Sequence, residues 1–367
     1  MLIAADKFKG SLTAAEVAEH VAAGLRAVVP AVSVTALPVA DGGDGTVEAA
    51  VAGGFERRAV RVTGPLGEPV DAAYALRGTT AVVEMAEASG LRRLPPGVFA
   101  PLSATTYGTG ELLRAALDAG ARTIVLGVGG SATTDGGAGM LCALGARLLD
   151  AKGAPVAPGG GALAALASAD LSGLDPRLAR AEVVLAGDVD NPLLGPKGAA
   201  AVYGPQKGAS PADVAALDAA LTRYAEVLGD REAARTPGAG AAGGIGYGAL
   251  VGLGARFRSG IEVMLDVLGF EAALAHADLV ITGEGSLDAQ TLHGKAPAGV
   301  AAAARARGVP VVAVCGRLAL SAAELAAAGI GAAYPLSALE PDPARSIPGA
   351  GPLLTEVAAT VARAHLA

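Results

Sequence analysis

The stretch RTIVLGVGGSATTDGGAGMLCALGARLL (122–149) carries the fold in the order of its parts. An apolar, β-branched run opens it, a loop of Gly, Ser, Thr and Asp follows, and an Ala/Leu-rich segment of helical period closes it, so a helix is expected over 137–149. The same order recurs along the chain in both directions. MLIAAD (1–6), VSVTALPVAD (32–41), AEVVLAGDV (181–189), ADLVITGEG (277–285) and VPVVAVCG (309–316) read as buried strands. AAEVAEHVAAGLRAV (14–28), GTGELLRAALDAG (108–120), ADVAALDAALTRYAEVL (212–228) and PAGVAAAARARG (297–308) read as helices. Strands alternating with helices specify an α/β protein with a mainly parallel sheet. One region departs from the pattern. Between Arg57 and Met85 the runs RRAVRV, VDAAYAL and TTAVVEM are separated by turn chemistry, which suits an antiparallel meander, and this shift near residue 60 marks the start of a second domain.

Composition sets the remaining bounds. The 367 residues are 52% apolar and 17% charged, enough for a large core and for two domains. Only 3% are aromatic, Trp is absent and the net charge is −7, so nucleic acid is not an expected partner. Cys142 and Cys315 stand alone and far apart, which fits a reducing compartment. Asp6, Lys7 and Lys9 interrupt any export signal at the start, and each apolar run is broken before the roughly 18 residues that a membrane span needs. A cytoplasmic protein without membrane contact, monomeric or homodimeric, is the expectation.

In open α/β sheets ligands gather at the carboxyl ends of the strands. Here those ends carry Asp6-Lys7-Phe8-Lys9, Asp41-Gly42-Gly43-Asp44, Gly129-Gly130-Ser131 with Asp135, Asp188 with Asp190 and Asn191, and Gly283-Glu284-Gly285 with Asp288. Glycine lets backbone N–H groups approach an anion, so Gly129, Gly130 and Ser131 are candidates to cradle phosphate. Carboxylates would hold Mg²⁺, which takes one or two of them together with substrate phosphates. Lys7, Lys9, Lys207 and Lys295 would neutralise phosphate or a substrate carboxylate. Gly, acid and Lys together describe phosphoryl transfer.

Plainer readings stand beside these. An Asp after a strand is also an ordinary turn former or helix cap, and a single lysine such as Lys207 or Lys295 is ordinarily solvated. His293 in TLHGK adjoins the rim, but phosphoryl transfer requires no histidine. The Gly-rich run TPGAGAAGGIGYG (236–248) reads as a linker or a ligand loop. No P-loop exists, because Gly294-Lys295 is followed by Ala296 and Gln290 stands where the opening Gly belongs. Gly127-x-Gly129-x-x-Ala132 has the spacing of a dinucleotide fingerprint but lacks the acid that should close the next strand.

Seven segments together resemble the bacterial type-1 glycerate kinase family. They are ADKFKGSLTAAE (5–16), VADGGDGT (39–46), TYGTGELLRAAL (106–117), GVGGSATTDGGAGMLCALG (127–145), DVDNPLLGPKGAAAVYGPQKGA (188–209), GAGAAGGIGYG (238–248) and TGEGSLDAQTLHGKAPAGV (282–300). The resemblance implies ATP- and Mg²⁺-dependent phosphorylation of D-glycerate, chiefly at the C2 hydroxyl, with the 3-kinase outcome open. It implies a discontinuous Rossmann-like domain (1–58 and 277–367), an inserted mixed α/β domain (59–276) and an active site in the cleft. On that basis Lys9 and Lys7 are assigned to the substrate carboxylate. Asp188 and Asp41 are assigned to base or metal duty, and Glu284 and Asp288 to metal. Gly129, Gly130, Ser131, Asp135, Asn191, Lys207 and Lys295 are assigned to phosphate and substrate. Two positions depart from the family, which often has Arg where Ser286 stands and Ser where Lys7 stands. The rival readings are a nicotinamide-dependent hydroxy-acid dehydrogenase and a non-enzymatic sensor of small hydroxy acids.

Overall fold

In the protein, described by a computed structural model over residues 1–292 and 294–366, the strands along the chain are β1 (Leu2–Ala5), β2 (Thr35–Ala36), β3 (Glu56–Thr63), β4 (Pro69–Arg77), β5 (Thr80–Glu84), β6 (Thr123–Gly127), β7 (Arg147–Asp150), β8 (Leu166–Asp170), β9 (Glu182–Ala186), β10 (Arg256–Arg258), β11 (Val280–Leu287), β12 (Val311–Leu318) and β13 (Ala332–Pro335). The fold is α/β and divides into two units, one of Met1–Asp41, Glu48–Gly54 and Ser259–Ala367, the other of Gly42–Val47 and Phe55–Arg258.

The first unit is built on a sheet of order β13-β12-β11-β1-β2, parallel at every pairing. Its central strands are unbroken apolar runs, as parallel strands covered on both faces must be. Helix Ala14–Val28 starts at a capping box in which Thr13 and Glu16 satisfy each other's backbone N–H groups. Its Val17, Val21 and Leu25 pack with Ile3, Ile281, Val312 and the C-terminal helix Ala350–His365 into one core. The two helices touch closely, since a Cβ on Gly24 would lie 2.2 Å from the Thr355 carbonyl oxygen. The strand expected over 32–41 is reduced to the two exposed residues Thr35 and Ala36. Pro30 and Pro38 bracket it, and proline confines this segment to the sheet edge, where Leu37 and Val39 still donate to Ile3 and Ala5.

The second unit is a six-stranded mixed sheet of order β10-β9-β6-β5-β4-β3. The meander read between residues 57 and 85 is present as β3, β4 and β5 in antiparallel register, and β5 then pairs parallel with β6. Leu112, Leu113 and Leu117 of helix Tyr107–Asp118 bury against Val83, Ile124 and Leu126. Each such side chain contributes roughly 1.5–3 kcal/mol by leaving water.

Two expectations are corrected here. The helix expected over 137–149 stops at Ala143, and Arg147–Asp150 is instead β7, paired antiparallel with β8. Gly145 causes the break: at φ +114 it makes a turn in which a Cβ would lie 2.1 Å from the Gly173 carbonyl oxygen. The run 236–248 is not a linker. Ala242, Gly243 and Gly244 stand at positive φ where the chain enters a mostly buried helix ending at Leu253, and the two glycines lie against the Thr133–Gly136 loop; a Cβ on Gly243 would sit 1.9 Å from the Thr133 carbonyl oxygen.

Candidate functional site

The residues singled out in the sequence fall into two groups, one in each unit. In the first unit they stand at the carboxyl ends of β1 and β11, which are neighbours in the sheet. Asp6 directly follows β1 and is 8% exposed; its N–H donates to the Gly283 carbonyl, and its carboxylate accepts the Lys7 N–H at 2.7 Å. Burial pushes the Asp6 carboxyl up to about 7, the Lys7 charge opposes the shift, and the Asp41 and Glu284 carboxylates add to it. Glu284, also buried, accepts from the Thr291 hydroxyl at 2.5 Å and pairs with the Lys295 ammonium at 3.6 Å. Its carboxyl is also raised, chiefly by burial and further by the charges of Asp288 and Asp41. Asp6, Asp41, Glu284 and Asp288 thus share one field, with Lys7 and Lys295 against it. Lys9 is exposed, and its backbone runs past Gly285, where a Cβ would approach the Lys9 nitrogen to 3.3 Å. Asp288 also shapes the chain around it. Its carboxylate accepts from the Gln290 N–H and the Ser286 hydroxyl and so forms the turn that brings Thr291 to Glu284. His293 lies outside the described residues.

The second group stands at the carboxyl ends of β5, β6 and β9, where Glu84, the Gly129–Ser131 turn and Asp188 follow the strands. The segment Gly42–Val47 lies across these ends. A Cβ on Gly42 would lie 2.5 Å from the Ala186 carbonyl oxygen, one on Gly129 would lie 2.5 Å from Gly43 Cα, and one on Gly130 would lie 2.4 Å from the Asp44 carboxylate. Glu84, with no exposed surface, fastens this segment. One carboxylate oxygen accepts the Gly45 and Val47 N–H groups at 3.1 and 3.2 Å, and the other accepts the Arg92 guanidinium at 2.9 Å. Gly130 turns the chain at φ +67, and its carbonyl accepts from Leu91 while Ala132 donates to Ser89. Among the described residues the backbone N–H groups of Gly129, Gly130 and Ser131 meet no acceptor. Three successive donors without a protein acceptor are available to an oxyanion.

Several assigned residues prove to be spent inside the protein. Asp135 is 1% exposed, and its carboxylate accepts from the Thr106 N–H and hydroxyl, both at 2.9 Å, and from the Gly137 and Gly139 N–H groups, both at 3.2 Å. It pins the loop, and desolvation raises its carboxyl despite these bonds. The Asn191 side chain donates to the Lys197 carbonyl and accepts from the Tyr203 hydroxyl, so it closes a loop. Lys207, assigned to phosphate and on a plainer reading solvated, is 1% exposed and donates to Ser131 and Thr133. The dinucleotide spacing at Gly127 leads to no helix of the required kind, because the next helix begins only at Ala138. Glu84 is the residue that sequence reasoning missed. Its one signal was an acid closing an otherwise apolar run.

The donor sets fit a triphosphate nucleotide and Mg²⁺ in a specific sense. Among the described residues no three His, Cys, Asp or Glu side chains gather closely enough to hold a metal unaided. Burial raises the Asp6 and Glu284 carboxyls and neighbouring carboxylates raise them further, even with Lys7 and Lys295 beside them, and such a group of acids suits Mg²⁺ held jointly with phosphate oxygens. No helix among the described residues is long and apolar enough to cross a membrane.

The chain resembles known proteins along most of its length. The chain is 48% identical over 359 residues to a glycerate kinase of Bacillus subtilis, covering 96% of this chain and 91% of the relative. It is 49% identical over 325 residues to the glycerate 2-kinase of Escherichia coli K12, covering 87% and 85%. The crystal structure of a chain from Salmonella typhimurium LT2, provisionally described as glycerate kinase 2, superposes with a TM-score of 0.87 at 47% identity over 99% of this chain and 97% of that one. The family model described as the glycerate kinase family matches residues 1–366. Matched by that model along its length and 47–49% identical to these relatives, this chain belongs to the glycerate kinase family.

Proposed function

We propose that the protein transfers the γ-phosphoryl group of ATP to a hydroxyl of D-glycerate, giving 2-phosphoglycerate and ADP. The observation that carries the phosphate side is the run of N–H groups at Gly129, Gly130 and Ser131 that meets no protein acceptor. Donors fixed before the reaction stabilise phosphoryl charge without reorganising. Lys9, exposed, and Lys7 bind the substrate carboxylate. Lys295, held at 3.6 Å from Glu284, lies ready to shift to a phosphate oxygen as negative charge arrives.

Asp41 and Asp188, each partly exposed after a strand, are the groups available to take the hydroxyl proton. Glu284, with Asp6 and Asp288 beside it, would hold Mg²⁺, whose part is to neutralise phosphate charge. The name of the relative from Escherichia coli supports transfer to C2. Formation of ADP that requires both D-glycerate and Mg²⁺, with no change in NADH fluorescence on titration, supports the kinase over a dehydrogenase. Substrate-induced stabilisation without ADP would make it a sensor. For Asp188→Asn we expect kcat to fall about 10²- to 10⁴-fold with a native melting curve; parental kcat would remove Asp188 from the chemistry.

A further inference from the structure

Lys207 is an expensive residue to bury. Its side chain is 1% exposed at the end of the short turn Pro205–Lys207, where Gly208, at φ +85, lies against Phe99. The ammonium donates to Ser131 Oγ at 2.7 Å and to the Thr133 carbonyl at 2.6 Å. Both partners are neutral oxygens, and the charge facing it is the buried Asp135 carboxylate, whose own oxygens are taken by Thr106, Gly137 and Gly139. A Met or Leu would fill the same space without desolvating a charge, so packing does not account for the ammonium. Its effect falls on Ser131. A serine oxygen that accepts from an ammonium keeps its own proton free to donate, and among the described residues the Ser131 proton has no acceptor. Ser131 also ends the run of three unpaired N–H groups.

We propose that Lys207 is a positioning residue: by donating to Ser131 Oγ it commits the Ser131 hydroxyl proton to a phosphoryl oxygen bound at the Gly129–Ser131 turn, and it does not touch that phosphate itself. The inference rests on the phosphate reading of this turn. It makes Ser131 a fourth donor beside the three N–H groups. Desolvation lowers the Lys207 ammonium from 10.5 to about 7, with the Asp135 charge opposing the shift. Once the amine is neutral it accepts from Ser131, and the hydroxyl proton turns inward. An anion at the turn holds the amine protonated, so phosphate binding through this route weakens as pH rises above neutrality.

The test is a double-mutant cycle on the full chain with inorganic tripolyphosphate as the calorimetric probe, which needs neither glycerate nor turnover. Ser131→Ala and Lys207→Met should each weaken binding roughly 10- to 100-fold, the range for one hydrogen bond to a charged group. The double variant should be no weaker than the worse single one, and the alkaline fall in affinity should vanish in Ser131→Ala. Effects that multiply in the double variant would place Lys207 on the phosphate and overturn the inference. So would parental affinity in Ser131→Ala, which removes one hydroxyl and tests the route even where Lys207→Met fails to fold. No binding to the parent protein would overturn it as well, whereas parental binding without ADP from glycerate would count against the kinase reading alone.

Discussion

Replacing Glu84 by alanine tests whether one buried carboxylate organises the phosphate-facing end of the second unit. The substitution strips the Gly45 and Val47 N–H groups of their acceptor and leaves Arg92 paired with Glu87. A buried donor left unsatisfied costs about 1–3 kcal/mol. The Arg92 side chain is 40% exposed and rehydrates, so that pair adds little. The sum is about 2–6 kcal/mol, and for a unit of 150–250 residues each kcal/mol moves Tm by roughly 2–4 °C, so the drop should be about 4–24 °C. Calorimetry gives the Tm, and hydrogen exchange read by mass spectrometry on a peptide spanning residues 42–47 should lose protection. Glu84→Gln keeps an acceptor for both N–H groups and should lose less than half as much. A Glu84→Ala protein that melts within 2 °C of the parent with unchanged exchange in this peptide would refute the anchoring role.

Asp6 gives a pH test whose sign follows from its raised carboxyl. Because the folded state holds this proton up to about 7 against 3.8 for the ordinary group, the Asp6 contribution to stability is present at low pH and is lost as pH rises from about 4 to 7. Asp6→Asn should therefore show a flatter Tm profile and melt above the parent at pH 8 but not at pH 4; equal differences at both would remove the linkage. Gly243→Ala should destabilise by about 1–3 kcal/mol, since its Cβ would sit 1.9 Å from the Thr133 carbonyl oxygen and its φ is +72. A neutral change in chemical denaturation would show that helix Ala241–Leu253 does not pack on that loop as described.

The alternation of TIVLG, VVLA and LVITG with Ala/Leu-rich helices was legible because the two periodicities differ and because parallel strands are apolar throughout. ARLLDAKGAPV reads equally as a helix or a hairpin, because ARLLD has the composition of a helix; the turn at Gly145 against Gly173 decides for the strand β7, paired antiparallel with β8. The rim could be read as a set of strand ends, and the structure brings Asp6, Asp41, Glu284 and Asp288 into one field. Asp135, Asn191 and Lys207 carry the same residue types as ligands do. Only burial and hydrogen bonding show that Asp135 and Asn191 also hold loops and that Lys207 reaches Ser131 from inside the protein. Glu84 was hidden for the opposite reason, since nothing local to a strand reveals that its last residue will reach two N–H groups of a segment 39 positions away.

The central claim is phosphoryl transfer to the C2 hydroxyl of D-glycerate. The most direct test incubates the protein with ATP, Mg²⁺ and D-glycerate, then adds enolase without any mutase, so that only 2-phosphoglycerate becomes the absorbing enol product. The account predicts ADP and an enolase signal in equal amounts. ADP without that signal would move the transfer to C3, and no ADP at all would contradict the account.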